Sequence, residues 1–281
     1  MKTFIFLFVL SAIFMSLGYL IAGSNGIFIG FFLAAVVNFT AYWFSDKIIL
    51  TMHHAQSVHP GDSFGLHEMV ERLAQRAGLP TPQIYLIPDH SPNAFATGRN
   101  PHHSAIAVTQ GLLGALSYQE LESVLAHELA HIKNRDTLVG CIAATMAAAI
   151  LVVARTSPWG IFFGTPTSSA RTEGRKSNSA FRVVVMAIVS PLAATLIQFA
   201  VSRSREYMAD LMGAELCGSP ERLANALQKI HSMSSGLPLA SGNPATAHLY
   251  IVNPFSGTAL LNLFSTHPSV EDRIAKLLKL G

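Results

Sequence analysis

Four apolar runs alternate with two polar stretches along the chain. Residues 3–22 (TFIFLFVLSAIFMSLGYLIA) and 26–44 (GIFIGFFLAAVVNFTAYWF) carry no charge. Each has roughly the 20 residues that cross a bilayer as a helix. Small and polar residues around Gly23 and Asn25 part them, which predicts a tight hairpin. A cleaved signal peptide is the rival reading of the first run, but its apolar stretch is long and a second run follows at once. A third charge-free run covers 137–154, and a fourth covers 183–202 with Pro191 and Gln198 inside it. Both are expected to cross as well, two core helices of a large domain being the alternative.

Paired crossings return a chain to the side it left. The expected organisation is therefore a membrane hairpin (1–45), a first polar part (46–136), a second hairpin (137–202) and a second polar part (203–281) on the same face. Lys2 and Lys47 put that face in the cytoplasm by the positive-inside rule. Arg155, Arg171, Arg175 and Lys176, between the third and fourth runs, pull the other way.

In the first polar part, Leu66, Met69, Val70 and Leu73 share one face of a helix predicted over 65–78, with Gly78 near its end. QIYLI, NAFAT and SAIAV follow as short strands between turn residues. Ser117 and Glu120 have the spacing of a capping box and open the next helix. In the second part, helices are predicted over 204–217 and 219–233. Residues 234–265 read as mostly irregular, and Val270, Ile274, Leu277 and Leu278 line one face of a last helix. The fold class expected is mainly α, α+β, in a polytopic membrane protein with a small sheet.

Composition supports the membrane reading. Half of the 281 residues are hydrophobic (50%) and only 12% are charged, against about a quarter in soluble domains. Mean hydropathy is +0.39. A net charge of +3 without a basic, aromatic-studded patch argues against nucleic acid. Two cysteines make no disulfide framework, and Cys141 is expected to be a packing residue.

The helix opened by Ser117 carries His127-Glu128-Leu129-Ala130-His131. Residues four apart on a helix lie about 40° apart around its axis, so two imidazoles can converge on one ion. Leu125, Leu129 and Ile132 fill the opposite face. Neutral imidazole suits zinc, and Glu128 stands within reach of a water on the metal as general base. A catalytic zinc needs a third protein ligand. Glu206 and Asp210 share a face of the helix after the fourth run. Glu206 can complete a His-His-Glu set, with Asp210 holding a ligand histidine by its other nitrogen. An ordinary solvated face beside Arg203 and Arg205 is the other reading, and spacing leaves the two open.

HELAHIKNRD, SREYMAD, HLYIVNP and THPSVEDRI occur in this order, and together they resemble the HtpX-type membrane zinc endopeptidases. The resemblance spans nearly the whole chain, including the leading hairpin. It implies a gluzincin-like zinc protease domain, one Zn2+ per chain, and Glu206 as third ligand beside His127 and His131. It also implies membrane protein quality control and stress response at a bacterial inner membrane, with the protease domain facing the cytoplasm. Partners would be misfolded membrane proteins or unfolded polypeptides, and the bilayer itself. Asn93, Ala94 and Phe95 resemble an edge strand beside the zinc, where an extended substrate adds by β-augmentation. His267 either donates to a developing oxyanion or caps the last helix. Arg273 is expected to be structural, paired with Asp210. His53, His54, His102 and His103 are read as surface residues. Two other functions fit less well: a CAAX-type prenyl-peptide endopeptidase, whose relatives carry more spans, and a zinc-binding membrane regulator without hydrolysis, which has no need of Glu128.

Overall fold

The computed structural model describes residues 2–155, 203–234, 244–252 and 268–280. Helical backbone runs over Lys2–Met52 (α1) but doubles back at Gly23, whose φ is +59°. The two legs touch. Asn38 Nδ2 donates to Leu7 O at 3.2 Å and to Ser11 Oγ at 2.9 Å, whereas a straight helix would hold residues 7 and 38 about 46 Å apart. Glycines make the contact possible: a Cβ on Gly18 would sit 2.1 Å from Gly26 O, and one on Gly30 would sit 2.4 Å from Phe14 O.

Among the described residues one helix, Gly23–Met52, is long and apolar enough to cross a membrane. Most of its large side chains between Phe28 and Phe44 are exposed. The charges at Asp46 and Lys47 end the predicted run at 44, yet the helix goes on for two more turns. Those turns enter the protein, where Ile49 and Leu50 are buried with Phe95 and Tyr250. The run 137–154 forms α5, Thr137–Arg155, and Val139, Ile142, Ala143 and Met146 on it are packed inside the protein. The run 183–202 and the basic loop before it lie outside the described residues.

The described residues are mostly helical with one small mixed sheet. Strands β1 (Gln56–Val58), β2 (Gln83–Ile87), β3 (Ala94–Asn100) and β4 (His103–Thr109) lie in the order β1-β2-β4-β3. β2 and β4 are parallel, and the outer pairs are antiparallel. Both faces of the sheet are covered, which is why β4 reads as unbroken apolar sequence rather than alternating. Ile106 and Val108 point into a core with Leu66, Leu73, Leu125 and Leu129. Ala105 and Ala107 point the other way, toward Ile49 and Cys141.

Helices α2 (Leu66–Ala77), α3 (Gln110–Ala115), α4 (Tyr118–Lys133), α6 (Arg203–Cys217) and α7 (Pro220–Ser234) complete this part with a 3-10 turn, Pro244–Leu249, and α8 (Val270–Leu277). The Asp62 carboxylate accepts the leading N–H groups of α2, and Gly78 at φ +70° ends it. At α4 the Ser117 hydroxyl caps the Glu120 N–H while the Glu120 carboxylate accepts the Ser117 N–H. Capping of this kind stabilises a helix by about 1 kcal/mol.

Candidate active site

His127 and His131 project from α4, and Glu206 from the first turn of α6. The two Nε2 atoms are 3.1 Å apart. Glu206 Oε2 lies 4.0 Å from His127 Nε2, and its Oε1 lies 3.6 Å from His131 Nε2. Tetrahedral nitrogen ligands of one zinc ion stand about 3.3 Å from each other, so this spacing fits a common ion. The far side of each ring fits too. His127 Nδ1 is 3.0 Å from Asp210 Oδ1, and His131 Nδ1 is 3.5 Å from Asp136 Oδ2. A carboxylate beside Nδ1 keeps the proton there and leaves the Nε2 lone pair facing inward. Two lone pairs and a carboxylate thus converge, a set of acceptors that suits a cation.

The charges agree. Burial alone would lower the His131 pKa, but Glu206, Asp136 and Glu128 around it raise it to about 9. These carboxylates demand positive charge at the point where the donors meet. His127 responds oppositely: burial pushes it down to about 4, against the pull of Asp210. Asp210 is held at about 2 although burial opposes this, because the Arg273 guanidinium and His127 favour its charged form.

Arg273, on α8, is buried and grips Asp210 with two bonds, Nε to Oδ2 at 2.9 Å and Nη2 to Oδ1 at 2.6 Å. Its Nη1 donates to Ile251 O at 2.7 Å and lies 3.7 Å from Glu206 Oε2. Nη2 also lies 3.4 Å from His127 Nε2. One guanidinium therefore reaches two of the three converging residues, Glu206 directly and His127 both directly and through Asp210. Asp136, which sequence reasoning did not single out, is held by Arg205 Nη1 at 2.9 Å. It follows the end of α4, where no helical spacing ties it to His131.

Glu128 faces the same cleft. Burial pushes its carboxyl up to about 7, the neighbouring His131 draws it down, and Glu206 raises it again. The Ala96 N–H faces this carboxylate and draws it down as well. Ala96 belongs to β3, the sheet edge. Thr109 N donates to Asn93 O, so residues 93, 95 and 97 turn their backbone groups to β4 while 94, 96 and 98 turn theirs outward.

Much of that outward edge is in use. Ala94 O accepts from Ile251 N at 3.0 Å, and Gly98 O accepts from Thr137 Oγ1 at 2.9 Å. Asn93 is buried and holds Val252, donating from Nδ2 to its carbonyl at 2.8 Å. Phe95 is in the core with Tyr250 rather than at the cleft, because strand alternation turns it to the face opposite Ala94 and Ala96. The open part of the edge is thus shorter than the run Asn93–Gly98 suggests, and it centres on Ala96. His267 lies outside the described residues. His54, His102 and His103 are exposed, but His53 is fully buried, since it follows the two turns of α1 that enter the core.

Gly213 shows how closely the two helices must approach. A Cβ there would lie 3.0 Å from His127 N and 3.1 Å from His127 Cα. Helix propensity alone favours alanine by about 0.8–1 kcal/mol. Gly213→Ala is nonetheless expected to destabilise the protein by about 1–3 kcal/mol through overpacking. It should also weaken metal retention, because it drives α4 from α6. Thermal unfolding and metal content after dialysis check both; a gain in stability would show that the helices yield freely.

Residues 62–280 match the family model described as Peptidase family M48. The chain belongs to peptidase family M48. A protein named Protease HtpX homolog from Desulforapulum autotrophicum is 50% identical over 98% of this chain and 88% of its own length. One of the same name from Pyrococcus furiosus is 48% identical over 97% of this chain and 92% of its own. The crystal structure of S. mikatae Ste24p aligns with 98% of this chain at 18% identity and a TM-score of 0.49, and this chain spans 64% of that one. As a member of the M48 family the chain is a membrane metalloprotease, and the converging donors lie within its matched region.

Proposed function

We propose that this M48 peptidase is a zinc endopeptidase in which His127, His131 and Glu206 hold one Zn2+ and Glu128 is the general base. The observation that carries this is the meeting of three donor atoms, all within 4.8 Å of one another, from two helices that a long apolar stretch separates in sequence. Two imidazole nitrogens and one carboxylate oxygen form a set used in catalytic zinc sites. Bound zinc supplies Lewis acidity, polarising a carbonyl and acidifying water. Glu128 takes the proton of the attacking water and returns it to the leaving amine nitrogen. The Ala96 N–H beside the Glu128 carboxylate favours its charged form, the one that takes a proton. Asp210 and Asp136 keep protons on the Nδ1 atoms, and Arg273 keeps Asp210 charged and in place.

We further propose that the protein acts on misfolded or unfolded membrane polypeptides, from the cytoplasmic face of a bacterial inner membrane that it crosses more than once. The exposed apolar leg of α1 supports an anchor, and its last two turns bury next to β3, which brings the cleft close under the bilayer. The Ala96 edge beside Glu128 favours reading backbone over side chains, as an unfolded substrate requires.

Wild-type protein is expected to hold one zinc per chain by atomic absorption and to cut an unfolded membrane protein in proteoliposomes, with a chelator stopping the reaction. Glu206→Ala should lose most of its zinc. Unchanged zinc content in that variant would remove Glu206 from the ligand set, and chelator-resistant cleavage would refute the metal mechanism. Reporter fusions within 156–182 test the number of crossings.

A further inference from the structure

His53 follows directly on the last residue of α1, and no step of the proposed reaction uses it. Its Nε2 lies 3.0 Å from Thr246 Oγ1, and its Nδ1 lies 3.1 Å from the Tyr250 hydroxyl. The ring meets Tyr250 edge-on at 88° and also packs against Phe95. Burial pushes the imidazole down to about 4, against Asp89, and pushes the Tyr250 phenol up. Both groups are therefore neutral at physiological pH. Either neutral tautomer satisfies both contacts: with the proton on Nε2, Tyr250 donates its O–H to Nδ1 and Nε2–H donates to Thr246, and with it on Nδ1 both directions reverse.

These contacts hold a wall of the cleft. Tyr250 and Ile251 line it together with Glu128 and the three converging donors. The Ile251 N–H donates to Ala94 O on the edge strand, and its carbonyl accepts from Arg273. Asn93 fastens Val252 next to it. A continuous set of contacts thus runs from the foot of the membrane helix, through His53 and Tyr250, to Ile251, the edge strand and Arg273.

We infer that His53 is a positioning residue that fixes Thr246 and Tyr250, and through them Ile251, so that the end of the membrane helix sets the wall along which a polypeptide substrate lies. This rests on the peptidase site proposed above. His53 touches no reacting atom, so its contribution falls on substrate binding. A polar residue that merely fills the core would have no such bias.

Tyr250→Phe keeps the ring and removes the hydroxyl. His53→Gln reaches toward Thr246 but gives up the Tyr250 contact, whereas His53→Asn offers an acceptor near the Nδ1 position and gives up Thr246. Full-length variants in proteoliposomes are compared for zinc content, kcat, KM and the Kd of a fluorescent unfolded polypeptide. Tyr250→Phe is expected to raise KM and Kd about fivefold, as one lost neutral hydrogen bond implies, with kcat within about twofold and zinc unchanged. His53→Gln combined with Tyr250→Phe should add little to either alone, since both remove one contact. His53→Asn should bind better than His53→Gln. Unchanged KM and Kd in a folded, zinc-loaded Tyr250→Phe protein would overturn the inference, as would a loss confined to kcat. If the wild type binds polypeptide yet never cleaves it, the hydrolytic reading fails, while the ratio of Kd values still decides this one.

Discussion

Glu128→Gln is expected to lower peptide hydrolysis by about 10²–10⁴-fold, the range assigned to a positioned general base, while zinc stays at one per chain. Glutamine has nearly the shape of glutamate, so it can still turn an amide oxygen toward the Ala96 N–H. What it loses is the capacity to take a proton. The loss should therefore appear in kcat and in kcat/KM alike, the signature of an interaction made in the transition state. Stability should hold or rise. Glu128 is almost wholly buried, and burial disfavours its charge, so a neutral amide removes a desolvation cost. Rates on an unfolded membrane protein, zinc content and thermal melts, all measured on one preparation, test the three parts together. A Glu128→Gln enzyme that cuts within about tenfold of wild type would take the base role from this residue.

The elements legible in the sequence were those whose local signals agree with their tertiary surroundings. The Ser117–Glu120 capping box and the apolar stripe through Leu125, Leu129 and Ile132 marked α4. The stripe through Leu66, Met69, Val70 and Leu73 marked α2. The converging histidines were readable because helical geometry is local. Pairing across distant segments was not. Nothing in the spacing of Asp136 ties it to His131, and three residues are too few to announce β1. His53 reads as a surface residue beside His54, since adjacent histidines do not face one way on a helix, whereas α1 carries on past Asp46 and Lys47 and delivers His53 into the core. The occupation of Ala94 by Ile251 was likewise invisible, since it joins segments 157 positions apart by backbone atoms that every residue shares.

Replacing Arg273 by methionine should have the largest effect on stability. The guanidinium is the positive half of a buried pair: Arg273 is 1% and Asp210 3% exposed. Removing one partner of such a pair typically costs about 3–5 kcal/mol, because the remaining charge stays in a medium that solvates it poorly. Methionine matches the arginine stem in length and apolar packing, so little of that loss comes from an empty cavity. The damage should spread to the site. Without the guanidinium, Asp210 is no longer fixed against His127 Nδ1. The Ile251 carbonyl also loses its donor, so zinc retention should weaken along with stability. The double variant Arg273→Met with Asp210→Asn separates the causes. An asparagine carbonyl can still accept from His127 Nδ1–H while carrying no charge, so the double variant should recover a large part of the stability lost by Arg273→Met alone. Denaturant or thermal unfolding in detergent, followed with zinc content, provides the comparison. If the double variant unfolds as readily as the single, the unpaired Asp210 charge is not what destabilises Arg273→Met, and the guanidinium acts instead through its bond to Ile251.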